Sequence, residues 1–300
     1  MRLNAVPFLW LVASKSLIIP KDGWNSHSFG HYGAGMVRSM HRAAQITQRR
    51  QIPIVARAAV NIFNAQLDKV IALVERRRPV KADSGFITLA FESHQSLWLD
   101  ALQQVFSETG GELVAELMPP IQSVMAQGLS KTSILLGADT VPNASAMITR
   151  KARGIADKIT KINSTTRKEF EKVIVDSFQD GLTFGETVQE LRDKIPKVNS
   201  SRQMTIARTE LSNAWNQGSI EAFQQSETLV ACSVIGCTSR EEESWDKPSY
   251  QQFMFRGEST CNIQDVAVHD LDQLNFHPNH TGVIVPSQFR NADGSVTPLA

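Results

Sequence analysis

The sequence predicts an α+β protein, mainly α: a helical N-terminal region followed by a helical bundle with a small C-terminal β module. Three observations carry this. Apolar residues recur at i, i+3, i+4 and i+7 over long stretches before about residue 226. Some stretches open on Ser/Thr-x-x-Glu/Gln, where a hydroxyl and a carboxylate or amide satisfy backbone N–H groups left over at a helix start. After Ser226 the chain turns to short β-branched runs bounded by turn residues.

Taken in order, residues 1–50 read as a basic, partly irregular arm. Its apolar run Phe8–Val12 follows Pro7 and falls far short of the roughly 20 residues that cross a bilayer. It is expected to dock on protein rather than to act as a targeting sequence, and no membrane role is indicated. Residues 20–35 hold Gly, Ser, His27, His31 and aromatics without periodicity, which predicts a mobile loop. From about Met36 to Arg78 the pattern becomes helical, with Val55, Ala59, Ile62, Phe63, Gln66, Leu67, Val70, Ile71 and Val74 inward.

Residues 51–144 form the helical region. Its second helix is expected over about 88–117, with His94 as a core histidine, a break at Gly110-Gly111 and a stop at Pro119-Pro120. A short helix over about 121–129 and a connector over 135–147 follow. Residues 145–286 are expected to form one further domain. Thr166-Arg-Lys-Glu169, Thr183-Phe-Gly-Glu186 and Ser200-Ser-Arg-Gln203 each read as a capping box, with Gly181 and Pro196 as helix ends. "TLVACSVIGCTS" reads as a strand, "FMFRGEST" and "GVIVP" as short strands, "VAVHDLDQL" as a turn of helix or a loop, and residues 287–300 as an exposed tail.

Charge is segmented although the net value is only +1. Residues 1–81 carry 13 Lys/Arg against 3 Asp/Glu, whereas residues 203–300 carry 5 against 12. A basic arm neutralises phosphates or docks on an acidic protein surface with equal ease. Three cysteines at irregular spacing make no disulfide framework, which suits a reducing compartment.

Within "IARTELSNAWNQG", Ala207, Leu211, Ala214, Trp215, Gly218 and Ala222 make a small-residue face that invites close approach of another element. Arg208, Thr209, Ser212, Asn213 and Asn216 add hydrogen-bonding groups, and Arg208 and Glu210 stand too far apart around the helix to pair. The candidate metal ligands are Cys237, Cys261, His277 and His280, with Cys232 and His269 in reserve. His277-Pro-Asn-His280 makes a single knuckle and no CxxC completes it, so a structural zinc is not the expected reading. A His-Asn-His nuclease would work against the acidic local field, and the letters for ADP-ribosyl transfer fall in the wrong order.

Assembled, "DGLTFGETVQELRDKI", "RQMTIARTELSNAWNQGSIEAF", "VIGCTSREEESWDKPSY" and "NFHPNHTGVIVP" resemble the phage head-morphogenesis family, the phage Mu F-like minor head proteins. The match covers about residues 145–286 and departs from the family pattern where His280 replaces a cysteine. The resemblance implies a minor structural protein of a tailed bacteriophage, not an enzyme and without cofactor. It would lie inside the capsid, with the host cytoplasm as its place of assembly, and help head assembly or DNA packaging and ejection. Implied partners are the portal protein and the major capsid or scaffolding protein, with double-stranded DNA open to the basic arm. Its motif residues here are Arg208, Thr209, Glu210, Asn216, Gly218, His277, Pro278 and Asn279. His277-Pro-Asn would then be a turn fixing the β module to the helix, with Arg208 and Glu210 holding it. The different-class alternative is a metal-dependent nuclease or other enzyme on the "HPNH" turn.

Overall fold

A computed structural model describes residues 26–77, 87–137, 143–235, 254–256, 258–260, 263–276, 280 and 282–298; within these, the side chains of 26–34, 87–94, 197–201, 254, 258 and 259 are not described. Phe8–Val12, the side chains of His27, His31 and His94, and Cys237, Cys261, His277, Pro278 and Asn279 therefore lie outside the described residues. The architecture is α+β and mainly α, as the periodicity predicts. Long helices α1 (Ser26–Arg77), α2 (Ile87–Leu135), α3 (Ala144–Gln179) and α4 (Phe184–Gln224) precede strands β1 (Leu229–Ile235), β2 (Met254–Phe255), β3 (Glu258–Ser259), β4 (Val266–Ala267), β5 (Val283–Arg290) and β6 (Val296–Pro298). A 3-10 turn, Val268–Gln273, separates β4 from β5.

The helices are longer than their local signals predict. α1 begins at Ser26, so the expected loop over 20–35 is helical from that point. Glycine there weakens a helix by about 1 kcal/mol without ending it, and the buried Met36 and Met40 anchor the adjoining turns. α2 runs unbroken through Gly110-Gly111 and Pro119-Pro120, which removes the expected break, the stop and the separate short helix. α4 likewise passes Pro196 and absorbs the box expected at Ser200. An interior proline costs about 3 kcal/mol, whereas a fully buried Leu or Ile contributes about 1.5–3 kcal/mol. Leu113, Leu117, Ile121, Val124 and Met125 flank the α2 prolines and are all buried, so packing along the whole helix outweighs the local penalty.

Among the described side chains, Thr183 makes the box expected of it. The Thr183 N–H donates to Glu186 Oε2 at 2.7 Å and the Glu186 N–H to Thr183 Oγ1 at 3.4 Å. Thr166 sits inside α3, where its hydroxyl donates to the Ile162 carbonyl at 3.0 Å. α3 closes at Gly181, φ +71°, with the Leu182 N–H on the Ser177 carbonyl at 2.9 Å and the Gly181 N–H on the Phe178 carbonyl at 3.1 Å. That is a Schellman ending, and only glycine enters its left-handed position without cost.

The bundle core has two ends. One cluster takes Met36–Phe63 of α1, Leu113–Met125 of α2, Ile155 and Ile159 of α3, Ile206–Phe223 of α4 and the inner face of the sheet. The other takes Leu67–Val74, Trp98–Phe106, Phe170–Phe178, Leu191 and Ile195. Between them lies a buried polar layer. Gln66 Nε2 donates to Thr109 Oγ1 at 2.8 Å and to Asn163 Oδ1 at 3.0 Å, and Asn163 Nδ2 donates to the Phe106 carbonyl at 3.4 Å.

The sheet is antiparallel in the order β4-β1-β5-β6, with β2 and β3 as a separate hairpin. β1 pairs with β5 through Ser233↔Val285 and Ile235↔Val283, and the register shifts near Ala231 and Cys232. That irregularity explains two things. It lets Ala231 and Cys232 both face the core, against strict alternation. It also places Pro286, which has no N–H to donate, where a central strand tolerates it. The expected tail is part of this sheet: residues 287–290 complete β5, and β6 pairs with it through Phe289↔Thr297.

Candidate functional site

Of the motif residues of α4, Gly218 packs on α2 and Asn216 reaches the start of β5. Gly218 sits where α4 crosses α2: a Cβ there would stand 2.1 Å from the Met125 carbonyl oxygen, and one on Gly128 of α2 would stand 2.5 Å from that of Trp215. Two glycines therefore set the distance between these helices, as the small-residue face predicts. Thr132 Oγ1 donates to Ser219 Oγ at 3.0 Å beside the crossing.

Asn216, two residues before Gly218, is 0% exposed. Its Nδ2 donates to the Gly282 carbonyl at 3.0 Å, and its Oδ1 accepts from the Ile284 N–H at 3.2 Å. One side-chain amide thus satisfies a C=O and an N–H two residues apart, as a neighbouring strand would. The gripped backbone opens β5, two residues after His280.

Glu210 is 3% exposed, and burial pushes its carboxyl above the ordinary range, against the opposing pull of the Lys158 charge and a hydrogen bond from Asn213. Arg208 lies on the exposed side of α4 and Thr209 is half-buried. Asn216 fastens α4 to β5 from the inward face that it shares with Ala207, Leu211, Ala214 and Trp215; the fastening expected between Arg208, Glu210 and residues 277–279 lies outside the described residues.

A second fastening, missed in the sequence, joins α3, α4 and the 3-10 turn. Buried Glu221 accepts from Arg150 Nη2 at 3.1 Å and lies 3.3 Å from Lys151 Nζ. Lys151 also donates to Asp272 Oδ1 at 2.6 Å, and Gln224 Nε2 to Asp272 Oδ2 at 2.9 Å. Burial raises the Asp272 carboxyl, but the Gln224 and Lys151 hydrogen bonds together leave it below its usual range. The available signal was Glu221 itself, a charge three residues beyond Gly218 on an otherwise inward face. A cleft of about 250 Å³ opens beside this network, lined by Arg150, Lys151 and Lys158, by Asn213 and Gln217, and by residues 274–276.

His280 is 1% exposed and stacks on Phe276, ring centroids 4.2 Å apart. Cys232 is buried in β1, and burial pushes its thiol well up, which disfavours the thiolate that a metal or an electrophile needs. His269 is exposed, 3.6 Å from Asp270 Oδ2, whose carboxylate also pairs with Arg256. Among the described residues no three His, Cys, Asp or Glu side chains are grouped to hold an ion; Cys237, Cys261 and His277 fall outside that statement. No helix among them is long and apolar enough to cross a membrane. Compared with protein-family models, curated proteins and solved structures, the chain has no match.

Proposed function

We propose that this chain is a minor head-morphogenesis protein of a tailed bacteriophage, a virion component of the capsid interior that associates with the portal and assists head assembly or DNA packaging and ejection. One observation carries the reading. Two pieces of the motif set lying more than sixty residues apart, "AWNQG" and the strand after "HPN", meet through the paired hydrogen bonds of Asn216. That is what a motif kept for architecture would do: its polar residue fixes one layer of the protein to another.

The portal protein, with major capsid or scaffolding protein, is the expected partner, and the host cytoplasm the place of assembly. The metal-dependent nuclease on the "HPNH" turn is the competing reading. The enclosure of His280 against Phe276 favours the structural one, because a ring stacked out of solvent is poorly placed to take a proton from a bulky substrate. Quantitative mass spectrometry of purified virions of the encoding phage or prophage tests the proposal. A few copies per particle in fixed ratio to the portal are expected; absence from both proheads and mature particles would overturn it.

A further inference from the structure

The outer face of α1 carries an exposed row at i, i+4 spacing: Arg38, Arg42, Ile46, Arg50 and Ile54. The adjacent row, Arg49, Pro53 and Arg57, is exposed too. At 1.5 Å per residue the two rows form a ridge about 29 Å long. No Asp or Glu occurs between Met36 and Leu67. Among the described residues none of the five arginines makes an ion pair. Like charges at i, i+4 destabilise a helix by a few tenths of a kcal/mol each. With no ion-pair partner among the described residues, the arginines are set for an external anion.

The isoleucines decide which kind of anion. Ile46 is 45% and Ile54 54% exposed, two of the four large apolar side chains so exposed among the described residues, and both lie within the arginine rows. A phosphate backbone gives them nothing to pack against, whereas a protein surface supplies carboxylates and apolar side chains together. The ridge also borders a groove of about 630 Å³ between α1 and α2, floored by Ala58, Ala65 and Ala115. Glu112 and Glu116 form its far rim, so incoming carboxylates are favoured on the arginine side only.

We infer that this face is a docking site for an acidic amphipathic α-helix of a partner protein. Its Asp/Glu edge lies along Arg38, Arg42, Arg49, Arg50 and Arg57, and its apolar residues at i, i+4 pack on Ile46, Ile54 and the groove. Residues 1–25 of the same chain do not suit the site, because they hold one acidic residue, Asp22, against Arg2, Lys15 and Lys21. The inference stands on α1 and α2 alone and does not depend on the head-protein reading.

The test is fluorescence anisotropy with the full chain at about 150 mM salt, where exposed charges more than roughly 8 Å apart are screened. The probes are a helical peptide of about 22 residues with Glu and Leu at i, i+4 steps, matched in length to the ridge, a scramble of the same composition, and a DNA duplex of similar length. The ordered peptide is expected to bind at least about tenfold more tightly than the scramble. Arg42→Glu with Arg50→Glu should abolish binding. Ile46→Ser with Ile54→Ser should erase the preference for order while leaving weak binding driven by charge. Equal binding of both peptides would overturn the inference. So would tighter binding of the duplex, sensitive to the arginine pair and indifferent to the isoleucine pair. Unchanged melting of both variants shows that the surface, not the fold, was altered.

Discussion

Asn216 and Arg208 are eight residues apart on one helix and should respond oppositely to truncation. Asn216→Ala strands the Gly282 carbonyl and the Ile284 N–H inside the protein. At roughly 1–3 kcal/mol for each unsatisfied buried group the loss should total about 2–6 kcal/mol. Arg208→Ala, on the exposed side, should stay within about 0.5 kcal/mol. Urea midpoints of the two variants decide the matter, and a larger effect at Arg208 would make it the stronger fastening. Glu210 makes a pH prediction. Its folded-state affinity for a proton exceeds that of the unfolded chain, so this group lowers stability as pH rises above the ordinary carboxylate value near 4.5. Glu210→Gln should therefore unfold at higher urea than the parent at pH 7, with the gap closing towards pH 4. A gap constant with pH would show that Glu210 is not the titrating group. Gly218→Ala should cost about 3 kcal/mol or more, since backbone of α2 stands where the Cβ must go. Gly111→Ala, with nothing within 4 Å, should instead raise stability by about 0.5–1 kcal/mol.

At the scale of elements, helix existence was legible in the sequence and helix ends were not. Inward faces read from periodicity, such as Phe170, Val173, Ile174 and Phe178, are buried as expected. Pro119, Pro120, Pro196 and the glycine pair misled, because each is a local signal of a few kcal/mol set against an apolar face that runs the length of the bundle. Thr166 and Thr183 carry the same capping pattern, yet only Thr183 follows a chain reversal, at Gly181, and only there are N–H groups left over to cap. Thr183→Val should therefore lose about 1 kcal/mol, while Thr166→Val, which removes one bond to an already paired carbonyl, should lose less; thermal melts of both compare them directly. Of the candidate site, Asn216, Gly218 and Glu210 were legible as unusual residues for one helix. Their division of labour was not, because it depends on which turn of α4 faces Gly282 and which faces Met125, and no local rule holds that information. The isoleucines of the outer α1 ridge were equally invisible, since nothing in the sequence separates an inward from an outward Ile when both fit a helical period.

Across the whole molecule, the buried layer of Gln66, Thr109 and Asn163 separates the two apolar clusters of the interior. The near core takes in the sheet, and the far core is built by the helices alone. This predicts that amide hydrogen exchange separates two cooperative groups with the break at the polar layer; a single uniform protection level along α1 and α2 would count against it. The grip of Asn216 has a consequence for the order in which the chain takes shape. Strand β5 is synthesised some seventy residues after the side chain that receives it, and the partners it needs are on α4, β1 and β6. The helices can collapse on neighbours already made, whereas the sheet must wait for a finished α4 to offer its amide. The slowest step of maturation should therefore be the docking of β5, with β6 behind it, onto helices already assembled, and Asn216→Ala should slow that step as well as weaken its product.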